Sequence, residues 1–256
     1  VDVLEVAEQI ADHTIRTPLL ESPLLNENLG GRLLVKAECL QRGGAFKFRG
    51  AYNRISRLSG EQLKAGVVAF SSGNHAQGVA LAAQMLGTPA VIVMPKDAPV
   101  MKIDNTRAYG AEIVLYDRAG ENRTEIAQRL ALERGATLVP SYDDAFIIAG
   151  QGTVGLELAA QVRDIGADLD AVIAPCGGGG LISGTALALS HDCPGVEIYA
   201  AEPEGFDDTA RSLAAGERLS IDADAQSFCD ALLLPTPGEL TFAIIKTLLK
   251  GGLVVS

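Results

Sequence analysis

Lys47 stands in Gly43-Gly44-Ala45-Phe46-Lys47-Phe48-Arg49-Gly50, flanked by glycines and directly bracketed by two phenylalanines. A lysine attacks a carbonyl carbon only as the neutral amine, and apolar bulk on both sides disfavours the ammonium and lowers its pKa. Such a lysine can form a Schiff base with an aldehyde. Two further loops follow in an order that suggests one site. At Ser71-Ser72-Gly73-Asn74-His75 an apolar run ends in a tight turn and a helical pattern begins, so backbone N–H groups at the helix start can hold a carboxylate. At Gly177-Gly178-Gly179-Gly180-Leu181 a tetraglycine follows an apolar run and precedes another helical pattern. Its backbone can close around a phosphate. Amine, carboxylate site and phosphate site together describe pyridoxal phosphate acting on an amino acid.

Each stretch has an ordinary reading when taken alone. A Gly-x-Lys run is commonly a loop with a solvated charge. Ser and Asn before an Ala-rich helix serve as N-caps, and a glycine run can be a flexible turn. The order of the three, with a strand before and a helix after the second and third, favours the chemical reading. A nicotinamide site fits less well, because the G-x-G-x-x-G spacing with a later ribose-binding acid is not clearly met at the tetraglycine.

The elements that must position these loops follow from hydrophobic periodicity. Val3, Val6, Ala7 and Ile10 have the spacing of an amphipathic first helix, and Pro18 begins an extended segment. Short apolar runs at 33–35, 66–70, 90–94, 112–116, 137–139, 171–174 and 197–201 read as strands. Helical patterns at 51–58, 75–86, 101–109, 124–134, 153–162 and 181–190 lie between them. This alternation predicts an α/β fold of parallel sheets covered by helices, and strands with little polar alternation predict sheets buried on both faces. No internal repeat, low-complexity tract or linker interrupts the chain, whose 256 residues suit one or two domains.

A formal charge of -11 argues against nucleic-acid and anionic-membrane partners, which the average surface would repel. Any anion site must be locally built. No apolar run approaches the roughly 18 residues of a membrane helix, and the first residues are acidic rather than a basic signal sequence, so a cytoplasmic protein is expected. Cys39, Cys176, Cys193 and Cys229 form no C-x-x-C pair and no zinc spacing, which reads as scattered reduced thiols. Cys176 adjoins the tetraglycine without a partner base. His13, His75 and His191 form no ligand-spaced pair, and His75 reads as a helix-start residue that shapes its loop.

On these motifs the chain resembles the fold-type II pyridoxal-phosphate enzymes, specifically the threonine/serine dehydratase and serine racemase branch, from Arg16-Thr17-Pro18-Leu19 to its last residues. Sister cysteine synthases typically carry Thr-Ser-Gly-Asn-Thr-Gly and Gly-Thr-Gly-Gly-Thr at the two loops. The resemblance implies a two-domain, tryptophan synthase β-like α/β fold with parallel twisted sheets flanked by helices. Residues 1–49 and 143–256 would form the large domain and 50–142 the small one, with Ile148-Ala149-Gly150-Gln151-Gly152-Thr153 opening the helix that returns to the large domain. It further implies Lys47 as the Schiff-base lysine, Phe46 beside the cofactor ring and Asn74 on the ring hydroxyl oxygen. Gly177, Gly178, Gly179, Gly180 and Leu181 would hold the phosphate, and Ser71, Ser72, Gly73, Asn74 and His75 the substrate. Ser72 matches a racemase hydroxyl on the substrate face opposite the lysine. Arg123 resembles a carboxylate-closing arginine, although an exposed helix arginine is the plain alternative. A homodimer or homotetramer is expected.

At Ala201-Glu202-Pro203-Glu204-Gly205-Phe206-Asp207-Asp208, Glu202 and Asp208 resemble the ligands of metal-activated serine racemases, with the Phe206 carbonyl as a third contact. Two carboxylates and a carbonyl suit Mg²⁺ or Ca²⁺; an acidic cap on a helix starting near Asp207 is the alternative. Two departures stand out. Ala45 replaces a serine found in many dehydratases, and the sequence ends at Ser256, before the segment in which relatives place a Ser, Thr or Cys against the pyridine nitrogen. A further C-terminal portion is expected to supply that contact. The implied activity is β-elimination from L-threonine or L-serine to a 2-oxo acid and ammonia, with Lys47 as base at Cα. 3-Hydroxyaspartate dehydration, serine racemisation and a non-catalytic pyridoxal-phosphate-binding role are the alternatives.

Overall fold

The computed structural model describes residues 1–221 and 226–256. Asp2 caps helix α1 (Val3–Ile10) by accepting from the Leu4 N–H, and Val6 and Ile10 bury its apolar stripe. Strands β1 (Leu19–Glu21) and β2 (Leu34–Lys36) form an antiparallel ribbon around helix α2 (Pro23–Leu29). The next elements are helices α3 (Lys47–Ser56) and α4 (Gly60–Ala65), strand β3 (Val67–Phe70), helix α5 (Asn74–Leu86), strand β4 (Ala90–Pro95) and helix α6 (Val100–Ala108). Strand β5 (Glu112–Tyr116), helix α7 (Arg123–Arg134) and strand β6 (Thr137–Leu138) complete a parallel sheet of order β5-β4-β3-β6. The 20-residue helix α8 (Ala145–Asp164) leads to strand β7 (Ala171–Pro175), helix α9 (Gly180–Asp192), strand β8 (Glu197–Pro203), helix α10 (Asp208–Ala215), helix α11 (Glu239–Leu248) and strand β9 (Gly251–Val255). The second parallel sheet has the order β7-β8-β9.

The four-stranded sheet is buried on both faces, as its apolar strands predict. Val67, Ala69, Ile92 and Met94 pack with Val6, Phe48 and Val79 in one cluster, while Val68, Val91 and Val93 pack with Ala127 and Leu130 of α7 in another. The β7-β8-β9 sheet departs from that expectation. Val172 and Ala174 face Ile182 and Ile245, whereas Ile173 between them is 60% exposed. Among the described residues this sheet is covered on one face, so its first strand alternates inside and out.

Helix α8 is long and apolar enough to cross a membrane, yet 67% of that stretch is buried inside the protein. Its composition reflects a core position between α3 and α9. Gly150-Gln151-Gly152-Thr153-Val154-Gly155 has nucleotide-loop spacing, but its glycines serve helix packing. A Cβ on Gly150 would sit 2.5 Å from the Gly50 Cα, and one on Gly184 would sit 2.2 Å from the Ile148 carbonyl oxygen. Only hydrogen side chains permit backbones to meet this closely.

Helix starts differ most from expectation. α8 begins at Ala145 rather than 153, because the Asp144 carboxylate accepts from the Phe146 and Ile147 N–H groups; the segment 148–153 therefore lies inside the helix. α3 begins at Lys47 itself rather than at 51. Helices α2, α4 and α11 and strand β9 have no counterpart in the periodicity of the sequence.

One ionic cluster joins these parts. Arg49, fully buried, donates to Glu38 and Glu157 and to the Thr153 hydroxyl and Ile15 carbonyl, while Lys36 donates to Glu157, Gln161 and the Thr17 carbonyl. Removing one partner of such a cluster leaves a buried charge exposed to an apolar surround. Glu157→Ala is expected to cost on the order of 3 kcal/mol in urea unfolding. Arg107→Ala, which breaks a solvent-exposed pair with Asp104, should change stability far less.

Candidate active site

In the order β5-β4-β3-β6 the chain moves outward from β3 to β4 and β5, then returns to the other side of β3 for β6. This is a topological switch point, where the loops leaving neighbouring strands diverge and open a crevice at their carboxyl ends. The Ser71-Ser72-Gly73 turn leaves β3, and Pro140-Ser141-Tyr142-Asp143 follows β6. The tetraglycine leaves β7. All three loops meet at a cavity of about 840 Å³.

The structure gathers Phe46, Lys47, Ser71, Ser72, Gly73, Asn74, His75, Arg123, Gly177, Gly178, Gly179, Gly180 and Leu181 on the walls of that one cavity. Glu202, Phe206 and Asp208 lie elsewhere, at the end of β8 and the start of α10. The two places are linked: Cys176, directly before the tetraglycine, contacts the Thr209 hydroxyl at 3.5 Å, and the Thr209 N–H donates to Glu202.

Lys47 is the first residue of α3 and lies against α5, where Gly78 makes room for it. A Cβ on Gly78 would sit 3.1 Å from the Lys47 carbonyl carbon. The Lys47 Nζ donates to the Ser141 carbonyl at 2.6 Å and lies 5.2 Å from the Phe46 ring centroid. No carboxylate pairs with it among the described residues, and burial pushes its pKa down to about 8. The direction is the one the sequence predicts but the cause is burial of the amine, since Phe48 packs into the core against Tyr52 and only the Phe46 ring lies near Nζ. His75 donates from Nε2 to the Val139 carbonyl at 3.0 Å, which leaves Nδ1 buried without a partner. Burial, reinforced by the Lys47 charge, lowers its pKa to about 3. It is a neutral imidazole throughout the working range, in keeping with a loop-shaping role.

Helices α5 and α9 begin at Gly73 and Gly179, and neither has a side-chain cap. α3 and α6 likewise start without a side-chain cap, whereas α7 and α8 are capped by Asn122 and Asp144. Two 13-residue helices thus present free N–H groups and the positive ends of their dipoles to the cavity. Gly179 adopts φ +89, a left-handed conformation open to glycine. An amine plus two uncapped helix starts is a donor set that fits a phosphorylated aldehyde and a carboxylate.

Tyr142, Lys102, Asp143, Arg218 and Asp230 also line the cavity and carry no motif that marks them. Tyr142 packs against the tetraglycine so closely that a Cβ on Gly178 would fall 2.4 Å from its ring. The glycine at 178 is therefore required by an aromatic wall, and a side chain there would displace the Tyr142 ring. Asp143 accepts from the Glu239, Leu240 and Thr241 N–H groups, capping α11 from far along the chain. Arg123 lies over the Phe70 ring at 5.4 Å, held by a cation–π contact with its guanidinium on the cavity wall.

Comparison with known proteins agrees with this geometry. Residues 10–256 match the family described as pyridoxal-phosphate dependent enzyme. The chain is 46% identical over 255 residues to an L-threo-3-hydroxyaspartate ammonia-lyase of Saccharomyces cerevisiae, covering 100% of this chain and 77% of that protein. It is 42% identical over 255 residues to a serine racemase of Schizosaccharomyces pombe, with 100% and 77% covered. Among solved structures it is similar to a threonine deaminase of T.th., with a TM-score of 0.94 and 47% identity over 100% of this chain and 81% of that one. Maize serine racemase gives a TM-score of 0.93 and 42% identity, with 99% and 75% covered.

The lowered Lys47 pKa has a direct readout in cofactor-free protein. Labelling of Lys47 by a small amine-reactive reagent should rise with a midpoint near pH 8, below that of solvated lysines at about 10.4. Peptide mapping across a pH series checks this; a midpoint shared with the surface lysines would contradict the desolvated amine.

Proposed function

Since the chain belongs to the pyridoxal-phosphate-dependent enzyme family, we propose that it is an ammonia-lyase that eliminates the β-hydroxyl of L-threonine or L-serine, giving a 2-oxo acid and ammonia. The observation that carries this reading is the Lys47 amine, unpaired with any described carboxylate, in one cavity with two uncapped helix N-termini. Lys47 would hold the cofactor aldehyde. The tetraglycine and the start of α9 would take its phosphate, Asn74 the ring hydroxyl oxygen and Phe46 the ring edge. When bound, the cofactor supplies an electron sink for the charge left at Cα.

The chain's own residues account for the remaining work. N–H groups of the turn at 71–74, with the α5 dipole behind them, orient the substrate carboxylate, and Arg123 closes on it from the rim. When not engaged by the cofactor, Lys47 would accept the Cα proton at Nζ. A pKa lowered to about 8 favours that duty, because at neutral pH it leaves a far larger neutral fraction than an ordinary lysine has, with the ammonium still the major form. The Ser72 hydroxyl is assigned to the opposite substrate face, where proton exchange would invert Cα. In this reading residues 1–49 and 143–256 form the large domain and 50–142 the small one, each with its own parallel sheet, and the enzyme works as a homodimer or homotetramer.

Mg²⁺ or Ca²⁺ is proposed at Glu202, Asp208 and the Phe206 carbonyl. Glu202 is fully buried and accepts from the Thr209 and Ala210 N–H groups, so it also caps α10. The buried Asp208 Oδ2 has no partner, and no cluster of three His, Cys, Asp or Glu side chains occurs among the described residues. An unpartnered carboxylate oxygen beside a second buried carboxylate fits a hard cation completed by carbonyl and water. The ion would act structurally.

Lys47→Ala should lower turnover by about 10²-fold or more and remove the borohydride-fixed cofactor label. Recovery of that label on Lys36 or Lys102 would refute the assignment. Release of 2-oxo acid from threonine, serine and 3-hydroxyaspartate, with the enantiomer ratio of unreacted serine, separates dehydratase from racemase. A protein that retains the label but turns over none of these substrates would be a non-catalytic binder. Chelation should lower the thermal midpoint and Mg²⁺ or Ca²⁺ should restore it, with Asp208→Ala insensitive to both. A parent protein indifferent to chelator leaves Glu202 and Asp208 as a helix cap alone.

A further inference from the structure

Lys102 of α6 lies directly on the carboxylate turn. A Cβ on Gly73 would sit 2.7 Å from the Lys102 Cδ and 2.9 Å from its Nζ, so glycine at 73 leaves room for a cation against the uncapped start of α5. The ammonium donates to the Asp230 carboxylate, and both residues line the cavity. The pair is asymmetric, with side-chain exposures of 17% for Lys102 and 52% for Asp230. Asp230 belongs to a segment closed on itself: its own N–H donates to the Phe228 carbonyl, Leu232 donates to Cys229 and Leu234 to Leu232. Such local turns let the segment shift without unzipping a sheet or helix. Of the other cavity cations, Arg118 pairs with Asp97 and Arg218 with Glu239 and the Pro237 carbonyl, while Lys47 is assigned to the cofactor and Arg123, over the Phe70 ring, to the substrate's α-carboxylate.

We propose that Lys102 is a second carboxylate-binding cation of the substrate site and Asp230 its resident counter-ion, displaced by a substrate whose side chain ends in a carboxylate. This rests on the reading of the cavity as an amino-acid site, and it names the residues that would choose between neutral and acidic hydroxy amino acids there. The energetics favour exchange over simple opening. Stripping the more buried Lys102 of its partner would leave a desolvated charge uncompensated, whereas trading one carboxylate for another keeps it balanced. Asp230, already half in water, is rehydrated at little cost. A neutral substrate offers no such trade and leaves the pair intact. Lys102 is then a specificity-determining residue, and Asp230 sets how strongly an acidic side chain must compete.

The two partners should respond in opposite directions. In the holoenzyme, calorimetric titration with succinate, a dicarboxylate lacking the reactive amine, should show roughly tenfold tighter binding for Asp230→Asn and roughly tenfold weaker binding for Lys102→Met. Butyrate, its monocarboxylate counterpart, serves as reference, so the quantity read is the succinate-to-butyrate ratio. Lys102→Arg should keep that ratio near the parent's. The ratio of kcat/KM for 3-hydroxyaspartate over threonine should move the same way as succinate affinity in each variant. If the ion pair is only a strap, both substitutions weaken succinate and butyrate alike, and the proposal is overturned. Should Lys102→Met fail to fold, Asp230→Asn decides alone, because unchanged or weakened succinate binding contradicts displacement. Absence of turnover with every hydroxy amino acid would count against the proposed reaction, while the succinate arm would still be read independently.

Discussion

Arg49 is two residues beyond Lys47 and fully buried, and the rest of the site depends on where its guanidinium is neutralised. Consecutive helix residues are about 100° apart, so Lys47 and Arg49 project from nearly opposite sides of α3. Glu38 and Glu157 grip Arg49 from the segment before α3 and from α8, and Glu157 also takes Lys36 of β2. An unpaired guanidinium in that position would cost several kcal/mol. The helix therefore has one rotational setting that satisfies Arg49, and the same setting turns Lys47 to the cavity. A charge cluster on the far side of α3 fixes the direction in which Lys47 enters the cavity.

Helix spacing does the remaining positioning. Gly50 against Gly150 and Gly184 against Gly152 bring α3, α8 and α9 to backbone contact, and Gly78 brings α5 onto the Lys47 backbone. The amine and both uncapped helix starts consequently belong to one tightly packed group of helices. In a chain of formal charge -11, attraction for an anionic cofactor and substrate cannot come from the general field. The positive potential at the cavity is local, from the starts of α5 and α9 aimed there by this packing and from Lys102, Arg118, Arg123 and Arg218 on its walls, while His75 is uncharged.

The parallel strands and two of the loops were legible because their signals are local. Glu112–Tyr116 coincides with its apolar run, and the Ser71–His75 and Gly177–Leu181 motifs fall at the ends of β3 and β7. The site features that were not legible are made by contacts distant in sequence. α11 has no capping residue of its own, since Asp143 supplies its cap from the loop after β6. The glycines before Lys47 read as a loop, although the helix starts at the lysine itself. Tyr142 carries no motif and becomes visible only through the ring it lays on Gly178. Lys102 and Asp230 meet across 128 residues. Burial, too, is invisible in composition: an acidic stretch such as 202–208 reads as surface, yet Glu202 and Asp208 are both inside.

That buried acidic pair is placed where its charge matters to the cavity. Burial, reinforced by Glu202, raises the Asp208 pKa from an ordinary 3.8 to about 7. A carboxyl group raised in the folded state contributes stability below its unfolded value and loses that contribution as pH rises through the folded one. Without a cation, Asp208 thus works against the fold between about pH 4 and 7 and beyond. Asp208 opens the first turn of α10, whose Thr209 binds Glu202 through its N–H and meets Cys176 through its hydroxyl. Cys176 leads directly into Gly177, so the buried carboxylates and the tetraglycine share one short stretch of backbone.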